Sequence, residues 1–122
     1  MDFAVDKTKV NLSGDYVMRQ AGYGHITDYK TGHDSYVRRL NRDHYPRLHL
    51  YLKNETDKLI FSLHLDQKQA SYQGSHMHSA EYGGRIVEEE VQRIKSLIVR
   101  LVTEQRNKAA ETQEEKKPWY KF

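Results

Sequence analysis

Apolar and polar residues alternate strictly in two neighbouring runs of the chain. Leucine occupies every second position of RLHLYLK at 47–53, and apolar residues occupy every second position of KLIFSLHLD from Leu59 to Leu65. The turn-forming residues NETD at 54–57 separate the two runs. Alternation with a period of two on both sides of a turn predicts a β-hairpin with one apolar and one polar face.

The two runs also predict a register for this hairpin. If Lys53 pairs with Lys58 across the turn, the apolar residues of both strands share one face, with Leu52 opposite Leu59. On the polar face, Arg47 is then opposite His64, His49 is opposite Ser62, and Asp66 follows His64 at the strand end. His49 and His64 become diagonal neighbours with β-carbons roughly 6–8 Å apart, close enough to reach one ligand.

An upstream segment, GYGHITDYKTGHDSYVRRL at 22–40, predicts a second hairpin with its turn near Thr31-Gly32. Pairing Lys30 with His33 places Ile26 opposite Val37 on one face. The polar face then collects Tyr23, His25, Thr27, Tyr29, Tyr36 and Arg38, next to the polar face of the first predicted hairpin. Residues 15–21, DYVMRQA, suggest a further edge strand, and residues 1–14 give no clear pattern.

One amphipathic helix is predicted to begin just beyond Gly83-Gly84. Apolar residues from Val87 to Leu101 recur at steps of three and four and form one stripe. From about Asn107 the stripe ends in a charged stretch, which predicts a fraying helix or a solvated tail. The fold class is α+β: an antiparallel β-meander of about four strands with one long C-terminal amphipathic helix packed on one sheet face. We expect one domain over 1–106, followed by a charged segment and an aromatic tail over 107–122.

Composition limits the functions that this chain can have. Its 122 residues suffice for one domain with a modest core, and they include no cysteine, which excludes disulfides, thiol nucleophiles and thiolate metal sites. The net charge of +3 permits polyanion binding without giving the concentrated basic surface of most nucleic-acid binders. Neither a membrane span nor a signal peptide is apparent, so we expect a cytoplasmic protein without a membrane partner.

Four of the seven histidines lie within 47–82, beside several carboxylates and amines. Imidazole and carboxylate together suit a divalent transition metal such as zinc or manganese, and a set with open positions suits a metal-dependent hydrolase, either a phosphoesterase or a nuclease. No spacing here matches a defined metal motif, and no GxSxG or phosphate-binding glycine motif occurs, so no catalytic residue is assigned. The candidate metal ligands are His49, His64, Asp66, His76, His78 and Glu81.

The leading functional hypothesis is a small binding protein. A sheet face rich in tyrosine, histidine and arginine can stack bases and contact phosphates, so the expected ligand is nucleic acid or another anion, held by the sheet face and the predicted loop at 66–82. The candidate ligand-binding residues are Tyr36, Arg38, Arg47, His49, Tyr51, His64 and Lys68. Two alternatives stay open: a protein-interaction surface that includes a homodimer, and an ordinary solvated sheet face stiffened by aromatic pairs.

Overall fold

A five-stranded antiparallel sheet forms the frame of the protein in the computed structural model. The structure describes residues 1–27, 32, 34–43, 45–67 and 75–116, with side chains within the last range described for 84–111. In chain order the elements are β1 (Asp2–Asp6), α1 (Gly14–Gln20), β2 (Gly24–Thr27), β3 (Asp34–Arg39), β4 (Arg47–Asn54), β5 (Lys58–Asp66) and α2 (Ser75–Lys116). The α+β prediction, with a long C-terminal helix packed on an antiparallel sheet, is confirmed.

Strand β1 adds an edge that the sequence pattern did not reveal. The spatial order is β1-β5-β4-β3-β2, so β2 to β5 form the predicted meander and β1 pairs antiparallel with β5. Its two inward residues, Phe3 and Val5, pack partly buried against the core. The Phe3 ring stacks on Phe61 at 4.7 Å between centroids. Two apolar positions in a short strand are too few to stand out before the partner strand is known.

Residues 14–20 form helix α1, so the suggestion of an edge strand at 15–21 is wrong. Ser13 caps the helix, because its Oγ accepts a hydrogen bond from the Tyr16 N–H at 3.0 Å. Asp15 lies in the first turn, where a carboxylate suits the helix dipole, and forms an i,i+4 ion pair with Arg19. These capping and charge signals outweigh the short apolar run at Val17 and Met18, which α1 buries.

Helix α2 begins earlier than predicted. Its backbone is helical from Ser75, eight residues before Gly83, so the stretch 75–82 is helix and not part of a loop. Glycine lowers helix propensity by only about 1 kcal/mol per residue relative to alanine, so two glycines are compatible with a continuous helix. The predicted stripe is confirmed: Val87, Val91, Ile94 and Leu101 are all buried.

Both helices cover the same face of the sheet. On that face the core consists of alternate residues of β4 and β5 together with the stripe of α2 and the inner side of α1. Gly14 at the start of α1 lies so close to the sheet that a β-carbon there would come within 2.7 Å of Leu52 Cδ1. No described helix is long and apolar enough to cross a membrane.

A buried ionic network fixes the long helix to the β2 end of the sheet. Glu90, only 5 % exposed, accepts hydrogen bonds from Arg93 and from the Tyr23 hydroxyl, the latter at 2.6 Å. Arg38 of β3 approaches the same carboxylate at 3.5 Å, and Arg93 also donates to the Ala21 carbonyl. A carboxylate can remain ionised at this depth because charged donors surround it.

The β4–β5 register differs from the predicted one by two residues. Asn54 pairs with Leu59 and Lys53 with Ile60, where we expected Lys53 to pair with Lys58. The turn is therefore tighter, closed by the Glu55 N–H donating to the Lys58 carbonyl at 2.9 Å. A shift of two leaves every side chain on its predicted face, so alternation alone cannot detect it.

Candidate functional site

The sheet face opposite the helices presents a continuous surface that we call the open face. It is built from the alternate residues of each strand that point away from Leu50 and Phe61. Tyr51 is 37 % exposed there, although His49 beside it is almost completely covered by its neighbours. From β3 to β5 the open face comprises Ser35, Val37, Arg39, Arg47, His49, Tyr51, Lys53, Ile60, Ser62, His64 and Asp66.

Three residues of β4 and β5 form a compact group on the open face that we call the His–Asp cluster: His49, His64 and Asp66. The observed register places His49 directly opposite His64, not diagonal to it as predicted, and Asp66 follows two residues later on the same face. His49 Nδ1 lies 2.8 Å from Asp66 Oδ2, and His64 Nε2 lies 3.0 Å from Asp66 Oδ1. One carboxylate thus holds both imidazoles.

Arg47 completes the polar side of this group. It is directly opposite Asp66 in the β4–β5 ladder, and its Nε lies 3.6 Å from Asp66 Oδ2. Its guanidinium also lies over the Tyr45 ring, 4.8 Å from the centroid, which is within the range of a cation–π contact. The arginine is therefore held between an aromatic ring and a carboxylate at the edge of the cluster.

Tyr51 extends the two imidazoles into a patch of three rings. Its centroid lies 4.5 Å from that of His49 and 5.5 Å from that of His64, and the Tyr51 and His64 rings are within 19° of parallel. The His64 side chain is 44 % exposed, whereas the His49 side chain is only 10 % exposed. Two accessible rings therefore cover a buried one.

The buried position of His49 determines its protonation. Burial lowers the pKa of His49 below its ordinary value, and the hydrogen bond and charge of Asp66 offset only part of this effect. Nδ1 faces the carboxylate, so in the neutral ring Nδ1 carries the proton and Nε2 keeps its lone pair. Nε2 is buried and has no hydrogen-bond partner within the described part of the chain.

The structure gathers five of the predicted site residues and separates two others from them. Arg47, His49, Tyr51, His64 and Asp66 lie together on the open face. Tyr36 and Arg38, expected on the same face, pair with Leu50 and Leu48 and so lie on the helix-covered face.

The reason for this separation is the way in which β3 pairs with β4, and not the register of the β2–β3 hairpin. Within that hairpin Ile26 pairs with Ser35 and not with Val37, a shift of two residues that leaves every side chain on its face. The pairing of β3 with β4 then places Tyr36 and Arg38 on the same face as Leu50 and Leu48. Tyr36 is 3 % exposed and donates to Asp15 Oδ1 at 2.8 Å, and Arg38 joins the Glu90 network. These contacts hold the fold together on the side away from the open face.

The remaining predicted site residues lie outside the part of the chain whose side chains are described: Lys68, His76, His78 and Glu81. The aromatic tail at 118–122 and the residues around the predicted Thr31-Gly32 turn, except Gly32 itself, are also outside it.

Two residues near the site were missed by sequence reasoning. Tyr45 supplies the ring beneath Arg47, and an aromatic residue two positions before an arginine gives no pattern that indicates this contact. Asp2 accepts a 2.6 Å hydrogen bond from the Ser62 hydroxyl, which brings a second carboxylate to the open face. Only the pairing of β1 with β5 reveals it.

No protein-family model matches this chain, and neither the curated proteins nor the solved structures include a match to it.

Proposed function

We propose that this protein is a small binding protein whose open face takes an anionic ligand, with single-stranded nucleic acid as the leading class. The observation that supports it most is the patch of three rings formed by His49, Tyr51 and His64 beside Arg47. Aromatic rings on an accessible sheet face are a common platform for bases, and each stacked base contributes about 1–3 kcal/mol.

Basic side chains on the same face give the phosphate contacts that such a ligand needs. Arg39 is directly opposite Arg47, and Lys53 lies two residues beyond Tyr51 on the same strand, 74 % exposed. These cations flank the rings, so a chain stacked on Tyr51 passes within reach of them. Asp66 and Glu55 neutralise part of this charge, so we expect few phosphate contacts and a shallow salt dependence.

The test is fluorescence anisotropy of labelled single-stranded oligonucleotides with tag-free protein at two salt concentrations. Tyr51→Leu keeps an apolar side chain but removes the ring, and we expect it to weaken binding by roughly tenfold. Tyr16→Leu is the matched control, because Tyr16 is a similarly exposed tyrosine, at 45 %, on α1 away from the open face.

Charge is tested separately from stacking. Arg39→Gln on the open face should weaken binding and flatten its salt dependence, by about 0.7 in slope for one lost phosphate contact with a single strand. Arg85→Gln removes the same charge from an exposed position on α2 and should leave both unchanged. Equal effects of the paired variants, or no binding at low salt, would contradict the proposal.

A metal-dependent hydrolase, acting as a phosphoesterase or nuclease, is the second candidate. It is favoured by one specific observation: two imidazoles and a carboxylate meet in the His–Asp cluster, next to Arg47. Incubating the oligonucleotide with the protein and added Zn²⁺ or Mn²⁺ distinguishes the two functions. Cleavage that is lost in His64→Gln would favour the hydrolase over the binding protein.

A further inference from the structure

The His–Asp cluster brings together three side chains of the types that bind metal ions. One ligand atom from each of His49, His64 and Asp66 lies within 4.8 Å of those of the other two. The three side chains come from adjacent strands in one register, so their separations depend on β-ladder hydrogen bonds and not on a loop. Sites built on strands hold their ligands more precisely than sites built on loops.

Of the two ring nitrogens of His49, Nδ1 faces Asp66 and Nε2 does not. The Nε2 atom is buried in a residue that is 92 % covered, and it has no hydrogen-bond partner in the described part of the protein. Nδ1, 2.8 Å from Asp66 Oδ2, is therefore the His49 nitrogen that is placed to bind an ion together with Asp66.

We propose that His49, His64 and Asp66 bind a divalent transition-metal ion, of which Zn²⁺ is the simplest probe. Imidazole nitrogen and carboxylate oxygen are ligands that Zn²⁺ takes at about 2.0–2.2 Å. Three protein ligands leave at least one position for water or for an atom of a bound molecule. This proposal goes beyond anion binding at the open face and does not depend on it.

The residues around the cluster indicate which ligand would fill the remaining coordination position of the metal. Binding the ion through His49 Nδ1 and His64 Nε2 replaces the hydrogen bonds at 2.8 and 3.0 Å that Asp66 now shares with the two histidines, and each neutral imidazole then carries its proton on its other nitrogen. Arg47, 3.6 Å from Asp66, then lies beside a second positive charge. An anionic oxygen, such as one from phosphate, relieves this repulsion by bridging the metal and the guanidinium, so the fourth ligand is expected to be an anion.

The other metal donors of this chain make a matched design necessary. His76 and His78 form a local HxH pair, and His25 lies 2.9 Å from Asp34 in an exposed His–Asp pair on the covered side of the sheet. Either pair could bind a metal ion weakly without forming a specific site. The experiment therefore uses tag-free protein and compares variants in the cluster with variants at both of these places.

The test is a titration of chelator-treated protein with Zn²⁺, followed by calorimetry, and with Co²⁺, followed by its visible absorption. We expect one ion per chain, with affinity reduced at least about tenfold in His64→Gln and in Asp66→Asn. His64 is half-exposed, so its replacement keeps the fold, and circular dichroism checks this for each variant. His25→Gln and the double variant His76→Gln with His78→Gln should bind as the wild type does.

Two results would overturn the proposal. One is the absence of stoichiometric binding to the wild-type protein. The other is binding that is lost in the double variant at His76 and His78 but kept in folded His64→Gln and Asp66→Asn. Neither result bears on oligonucleotide binding through Tyr51, so the two proposals can fail separately.

Discussion

His49 and His64 are directly opposite each other in the β4–β5 ladder, and their ring centroids are 4.9 Å apart. A positive charge on His64 opposes a second one on His49, and the His64 ring also helps to bury its neighbour. Replacing His64 with Ala should therefore raise the pKa of His49. NMR titration of the histidine ring protons, in the presence of a chelator, measures this shift.

His25→Gln is the control for that titration, because His25 contacts Tyr36 on the opposite face of the sheet. It should leave the His49 transition in place. A His49 transition that is the same in wild type and His64→Ala would show that the two rings do not share one environment.

The Asp66 carboxylate raises the pKa of His49, whereas the charge on His64 lowers it. Its hydrogen bond to Nδ1 and its negative charge both favour protonation, although burial outweighs them. Asp66→Asn keeps the shape and an acceptor oxygen but removes the charge, so the pKa of His49 should fall further. The same NMR titration measures it, and an upward shift would contradict the contact between Asp66 and His49.

Glu90 should contribute measurably to stability. Because Glu90→Gln leaves Arg93, Tyr23 and Arg38 without a common charged acceptor, we expect a loss of about 1–3 kcal/mol in the free energy of unfolding at neutral pH. Glu89→Gln, at the adjacent but 70 % exposed position, should change it by less than about 0.5 kcal/mol. Urea denaturation measures both, and equal effects would contradict the role of the network.

The Glu90 contribution should also depend on pH. Burial alone would raise the pKa of Glu90, but hydrogen bonds from Arg93 and Tyr23, with the charges of Arg93 and Arg38, lower it below 4.5. A carboxylate with a lowered folded pKa stabilises the protein above its unfolded pKa, and this contribution is lost as pH falls through the folded value. The stability difference between wild type and Glu90→Gln should therefore shrink as the pH is lowered below about 4.5. A difference that stays constant down to acid unfolding would contradict this assignment.

The strands that build the site could be predicted from the sequence, because apolar residues occupy every second position of both. Alternation assigns His49, His64, Tyr51 and Asp66 to one face whatever the exact pairing, since a shift of two residues preserves every face. The pairing itself depends on turn geometry at Glu55 and Lys58, so the direct opposition of the two histidines was not predictable.

The faces of β3 were not predictable for a different reason. A hairpin pattern relates β2 to β3, but it does not fix how that pair is oriented relative to β4. Tyr36 and Arg38 are polar enough to suggest a solvated face, yet Asp15 and Glu90 satisfy their polar groups beneath the helices. Amphipathic side chains of this kind are compatible with either face until their partners are known.

The most direct test of the binding proposal is a titration of isotope-labelled protein with a short single-stranded oligonucleotide, followed by NMR chemical shifts. If the open face is the binding surface, the largest changes should map to Arg39, Arg47, Tyr51 and His64, with little change along α1 and α2. Saturable changes at these four residues, reduced in Tyr51→Leu and not in Tyr16→Leu, are the predicted result. Changes confined to the helices, or none at low salt, would contradict the assignment of the open face as the binding surface.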